Sequence, residues 1–127
     1  MAAEVRDGTN RLEGVRPLGG GVNFGERWQA ALAREFNEEL GVDIVIKGEP
    51  LVMENIFVHE GSVGHEVVFV SDVEIRNCAF SEIDNIEFKE ASGAPGIAGW
   101  FDLAALDLDD GPKLFPAGLK DLLLGRR

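Results

Sequence analysis

Three glutamates, Glu35, Glu38 and Glu39, stand at i, i+3 and i+4 of a helix-patterned segment. At about 100° per residue they share one face roughly 100° wide. Like charges so placed repel by about 0.2–0.5 kcal/mol per pair. A hard divalent cation, Mg²⁺ or Mn²⁺, would remove that repulsion by taking carboxylate oxygens as ligands. The same spacing also fits a solvated acidic face with no ligand at all. A solvated face must also account for the neighbours: the isolated Arg34, the glycine triplet Gly19-Gly20-Gly21, which demands an unusual backbone path, and the stop at Gly41.

The element carrying these carboxylates is the best-defined helix of the chain. From Glu26 onward Trp28, Leu32, Phe36 and Leu40 recur every four residues as one apolar stripe. Gly41 is a fitting stop. The acidic face lies beside this stripe, so its carboxylates should emerge at the edge of the core. Upstream, residues 2–6 and 11–16 read as a hairpin across the turn formers of residues 7–10. Downstream, residues 42–46 and 51–58 read as strands separated by Gly48-Glu49-Pro50. Residues 66–75 pair with them across a turn at 60–64. Residues 86–89 read as a short strand, with a helical turn within 82–90 as the alternative, and 96–103 as a buried strand centred on Trp100 and Phe101. A helical turn is expected at 103–106, and a last helix from Pro116 to about Leu124 with Leu119, Leu122 and Leu123 inward. Hairpins with helices set among them give an α+β class.

The 127 residues fit a single domain, 1–127, with no repeat or linker. A net charge of −11 disfavours a polyanionic partner, nucleic acid or an anionic membrane, because neither clustered Lys nor Arg is present to meet it. No apolar run is long enough for a membrane span and no secretory leader is legible. The single cysteine, Cys78, excludes an internal disulfide, and a cytoplasmic location is expected.

The segment from Gly20 to Val42 resembles the Nudix box. That motif reads Gly, five residues, Glu, seven residues, Arg-Glu, an apolar residue, any residue, Glu-Glu, any residue, Gly and an aliphatic residue. Gly20, Glu26, Arg34, Glu35, Glu38, Glu39 and Gly41 fill its fixed positions, with Phe36 and Val42 in the apolar slots. The resemblance implies an α/β/α sandwich with a mixed central sheet. It also implies metal-dependent hydrolysis of a nucleoside diphosphate linked to another moiety. Glu38 and Glu39 would then be the main Mg²⁺ or Mn²⁺ ligands, and Glu35 a further ligand or the general base. The Gly20 carbonyl and Glu26 would serve or support the metal, and Arg34 would orient the carboxylates. Residues 16–22, 54–57, 64–70, 99–103 and 114–119 resemble one bacterial subgroup more loosely.

Family members usually carry one more strand before the first hairpin. Its absence here implies a truncated start, an exposed sheet edge, or an edge covered by a partner subunit, as in a homodimer. Gly21, Phe57, His65 and Glu66 are the candidate contacts for a small nucleotide-type substrate. Nothing in the sequence selects which nucleotide derivative. A nucleotide-sensing module without turnover and an RNA 5′-end pyrophosphohydrolase remain alternatives, the second opposed by the charge. Glu82, Asp84, Glu87 and Glu90 lie where a further ligand or base could come from. Solvated loop charges are the plainer reading of each. His59 and His65 flank a turn without enough further ligands for zinc.

Overall fold

The computed structural model describes residues 1–76, 85–90 and 92–125. The expectations for Cys78, Glu82 and Asp84 lie outside them. The chain is mixed α and β, mostly β. Strands β1 (Ala2–Arg6) and β2 (Leu12–Pro17) form the expected hairpin. Its turn is tied by Asp7, whose Oδ1 accepts from the Thr9 N–H at 2.8 Å, the Thr9 hydroxyl at 2.6 Å and the Arg11 N–H at 3.0 Å. Helix α1 (Trp28–Leu40) begins two residues after Glu26 and ends on Gly41, whose φ of 67° suits glycine.

β3 (Asp43–His59) and β4 (Ser62–Arg76) make a long two-stranded sheet. The break expected at Gly48-Glu49-Pro50 does not end the strand. A bulge between Lys47 and Leu51 absorbs those residues and the ladder resumes. β5 (Ile86–Lys89), β6 (Pro95–Gly99) and β7 (Lys113–Leu114) join β1 and β2 in a five-stranded sheet of order β5-β6-β1-β2-β7. The β2–β7 pair is parallel and the others antiparallel, so this sheet is mixed.

β1 lies inside this sheet: β2 pairs along its length, and β6 takes its other side at Ala2 and Ala3. Two expectations are corrected. The strand expected at 96–103 stops at Gly99, whose ladder partner is Ala2. Trp100 is 42% exposed. The chain then turns into a single 3₁₀ turn (Leu103–Ala105), capped by Asp102 accepting from the Ala104 N–H at 3.0 Å. The last helix, α2 (Leu119–Gly125), does not start at Pro116, because Gly118 stands at φ 91°, outside helical space. Leu119 is fully buried and Leu123 packs on the core as expected, but Leu122 is 39% exposed.

Successive residues of a strand face opposite ways. Ala3 accordingly joins a cluster with Leu18, Phe36, Val42, Phe88 and Ala98, against which Leu32, Leu40, Ile44, Val73 and Ile75 pack. Ala2 joins the other, with Val15, Leu106, Leu114 and Leu119, packed by Met53, Val70 and Leu123. Thus α1 closes one cluster and α2 the other. Burying a side chain such as Phe36 is worth about 2–3 kcal/mol. That exceeds the few tenths lost between neighbouring glutamates, so α1 holds its acidic face in place.

Candidate metal and phosphate site

The apolar stripe fixes how α1 is rotated, and that rotation sets the exposure of each carboxylate. Glu35, one position before Phe36, is 7% exposed, the one buried charged residue among the described residues. Glu39 is half-buried and Glu38 open to solvent. Only Glu38 departs from the expected position at the core's edge.

Arg34 is the knot of the site. Its Nε donates to Glu26 Oε2 at 2.8 Å and its Nη2 to Glu26 Oε1 at 2.9 Å, a two-pronged pair. Nη1 donates to Glu35 Oε1 at 3.0 Å and to Glu38 Oε2 at 3.3 Å. Nη2 also donates to the Gly21 carbonyl at 3.0 Å. Glu26 Oε1 in turn accepts the Asn23 N–H at 3.1 Å. One guanidinium therefore ties the glycine loop to the acidic face. Arg34 and the Asn23 N–H hold the Glu26 carboxyl down at about 2. The same carboxylates push the Arg34 pKa above its ordinary value.

Gly20 lies against the Glu35 carboxyl so closely that a Cβ would overlap it. That contact explains a glycine at position 20, where φ alone does not require one. Beyond it a cavity of about 230 Å³ is lined by Glu35, Glu38, Glu39, Lys89 and Glu90. Burial, followed by the charges of Glu35 and Glu90, pushes the Glu39 carboxyl up to about 7, with Arg16 opposing. Arg16 reaches Glu90 with Nη2 to Oε1 at 3.2 Å.

Glu35, Glu38 and Glu39 thus share one cavity, while Glu26, Arg34 and Gly21 brace it from the loop. Among the described residues no three His, Cys, Asp or Glu groups converge as a preformed metal cage. The contacts show one reason: Arg34 holds Glu35 and Glu38 toward itself. The donors are nevertheless hard oxygens crowded enough to retain a proton near neutrality, the chemistry a divalent cation relieves.

The other candidates are not brought here. Phe57 packs on Gly64, His65 pairs with Glu54 (Nε2 to Oε2, 2.8 Å), and Glu66 accepts from Asn55 at 2.9 Å. All three lie on the outer half of the β3–β4 hairpin, and none lines the cavity. Glu87, exposed on β5, does not line it either. Glu90 does. Arg16 and Lys89 were missed, because no local pattern marks a cation that meets the helix only through strand pairing.

Compared with known proteins, the chain matches no family model, no curated protein and no solved structure.

Proposed function

We propose that the chain is a metal-dependent pyrophosphohydrolase of the Nudix type. It would cleave a nucleoside diphosphate linked to another moiety, at the acid anhydride bond. The observation that carries this reading is the Arg34 knot. One guanidinium holds Glu26, Glu35, Glu38 and the Gly21 carbonyl beside a cavity lined by three box glutamates and Glu90. A solvated acidic face has no use for such bracing, nor for a glycine pressed against a buried carboxylate. The mixed sheet, with one helix closing each core cluster, fits the α/β/α layering of that family.

Glu38, Glu39 and Glu90 would hold Mg²⁺ or Mn²⁺, with the Gly20 carbonyl close by. When bound, the cation supplies neutralisation of charge on the phosphate oxygens. The protein's own groups do the rest. Arg34 fixes Glu35 through Oε1, leaving Oε2 to take the proton of the attacking water. Lys89 at the cavity wall offers a cation to a phosphate. The loop of residues 20–26 keeps its backbone close to the bound group.

The test is a screen of nucleoside diphosphate derivatives with Mg²⁺ and Mn²⁺, reading released phosphate and nucleotide. Turnover is expected, and Glu39→Gln should lower it by about 10²–10⁴-fold with the circular dichroism unchanged. Full activity of Glu39→Gln would refute the assignment. Saturable binding without turnover across the panel would replace it with the nucleotide-sensing reading.

A further inference from the structure

The outer half of the β3–β4 hairpin carries an apolar face that the described residues leave mostly bare. Cross-strand partners share a face, so the register Val52↔Phe69, Glu54↔Val67, Ile56↔His65 and Val58↔Val63 defines it. Six of its eight residues are apolar: Val52, Ile56, Val58, Val63, Val67 and Phe69. Their exposures run from 42% to 73%. The opposite face is different, since Met53 and Val70 pack into the core. On the inner half the stripe continues through Val73 and Ile75, which pack on the cluster closed by α1. The cover stops at Trp28, the first residue of α1, which stacks on Phe69 with ring centroids 5.8 Å apart.

Two features select the occupant. The first is area. Only Phe69 falls in the roughly 150–250 Å² range of an aromatic side chain; with five smaller aliphatics, the six residues leave on the order of 500 Å² bare. Glu54 and His65 bring this near the ~800 Å² per partner of a stable interface. The second is charge. On a chain of net charge −11 this face holds a single carboxylate, Glu54, and its His65 partner sits 2.8 Å away. A cationic or polyanionic partner would find no complement there. Two copies of an acidic chain can meet only where negative charge has been withheld, as it has here.

We infer that this face is the interface of a homodimer, two hairpins packing their stripes together about a two-fold axis. An isolated two-stranded hairpin is marginal in water, and the second copy supplies the missing layer. The inference does not depend on the hydrolase reading. It also differs from a cover for β1, which is already paired.

Sedimentation of the full chain is the experiment. At micromolar concentration it should run at twice the 13.8 kDa chain mass. Val58→Glu with Val63→Glu should convert it to a monomer with unchanged circular dichroism. Leu108→Glu, at an exposed apolar residue elsewhere, should leave the dimer intact. Amide exchange across residues 52–69 of the unaltered chain should slow as its concentration rises, a readout that survives if the double variant fails to fold. A monomer at every concentration, a double variant that stays dimeric, or exchange independent of concentration would each overturn the inference. Hydrolysis assayed in parallel keeps its failure distinct from that of the proposed activity.

Discussion

The loop and helix around Arg34 and the outer hairpin of β3 and β4 solve opposite problems. In the first, charge is gathered and immobilised: three side chains and a carbonyl converge on one guanidinium. In the second, charge is kept away and apolar surface is left bare. The difference teaches that local order has two sources here. The site is ordered by its own hydrogen bonds, whereas the hairpin's outer half has only its ladder and waits for a covering layer.

The sharpest way to break that contrast is to remove the knot. Arg34→Ala frees Glu26, Glu35 and Glu38 together, and displacing the reacting groups by about 1 Å costs on the order of 100-fold in rate. We expect a loss of that size in kcat/KM for the proposed hydrolysis. Arg34→Lys should not restore it, because a point charge cannot span Glu26 and Glu35 at once. Recovery with Lys would show that charge alone mattered and that the fork did not.

Two glycines test the regions against each other. A Cβ at Gly20 would strike the Glu35 carboxyl, which Arg34 holds and burial confines. Gly20→Ala should destabilise the chain by about 1–3 kcal/mol in urea melts, the cost of overpacking. A Cβ at Gly64 would strike the far end of the Phe57 ring, which is 40% exposed and free to swing outward. Gly64→Ala should cost less than ~1 kcal/mol. Equal losses would mean that the hairpin is as tightly determined as the site.

Acidity sharpens the comparison further. Glu39 titrates near 7 in the folded chain and near 4.5 when unfolded. Between those values the folded state binds the extra proton, so stability falls as pH rises from about 4.5 to about 7. Glu39 is only half-buried, so the change is on the order of 1 kcal/mol after screening. Glu39→Gln should flatten that slope. Glu26 works in the reverse sense. Its carboxyl is held down at about 2, so its contribution is present above about 4.5 and lost as pH falls toward 2. Thermal melts from pH 2 to 8 should therefore show a maximum on the acid side of neutrality.

How much of this was legible beforehand depends on range along the chain. α1 was visible because four apolar residues repeat at its period and Gly41 stops it. The first hairpin was visible through its turn chemistry. β7 was not, because two residues paired in parallel to β2 carry no local pattern. The bulge that keeps β3 continuous depends on β4 as a template, so Gly48-Glu49-Pro50 read as a break. Trp100 read as core because it is large and apolar, yet its strand runs out of partners at Gly99. In the site, the spacing of Glu35, Glu38 and Glu39 showed a shared face. The role of Arg34 followed only from the Nudix resemblance, and its contact with the Gly21 carbonyl from neither. Arg16 and Glu90, 74 residues apart, meet only through the sheet. His65 was expected to face substrate because the resembled family binds ligand over this sheet, but the hairpin is longer than the helix that covers it.

The smallest effect separates a bound charge from a decorative one. Lys47 and Glu74 form an ion pair at 3.2 Å on the inner hairpin, with both side chains more than half exposed. Such a pair loses in side-chain entropy most of what it gains by attraction. Lys47→Ala should shift stability by no more than ~0.5 kcal/mol, and any shift should vanish at 1 M salt, where the Debye length is about 3 Å. The knot should respond differently to the same salt. Its geometry rests on directional hydrogen bonds to one planar group, of which only the electrostatic part is screened. If 1 M salt abolished the stability difference between Arg34→Ala and the unaltered chain as it abolishes that of Lys47→Ala, the guanidinium would be acting as a point charge. The division between an ordered site and a merely laddered hairpin would then fall.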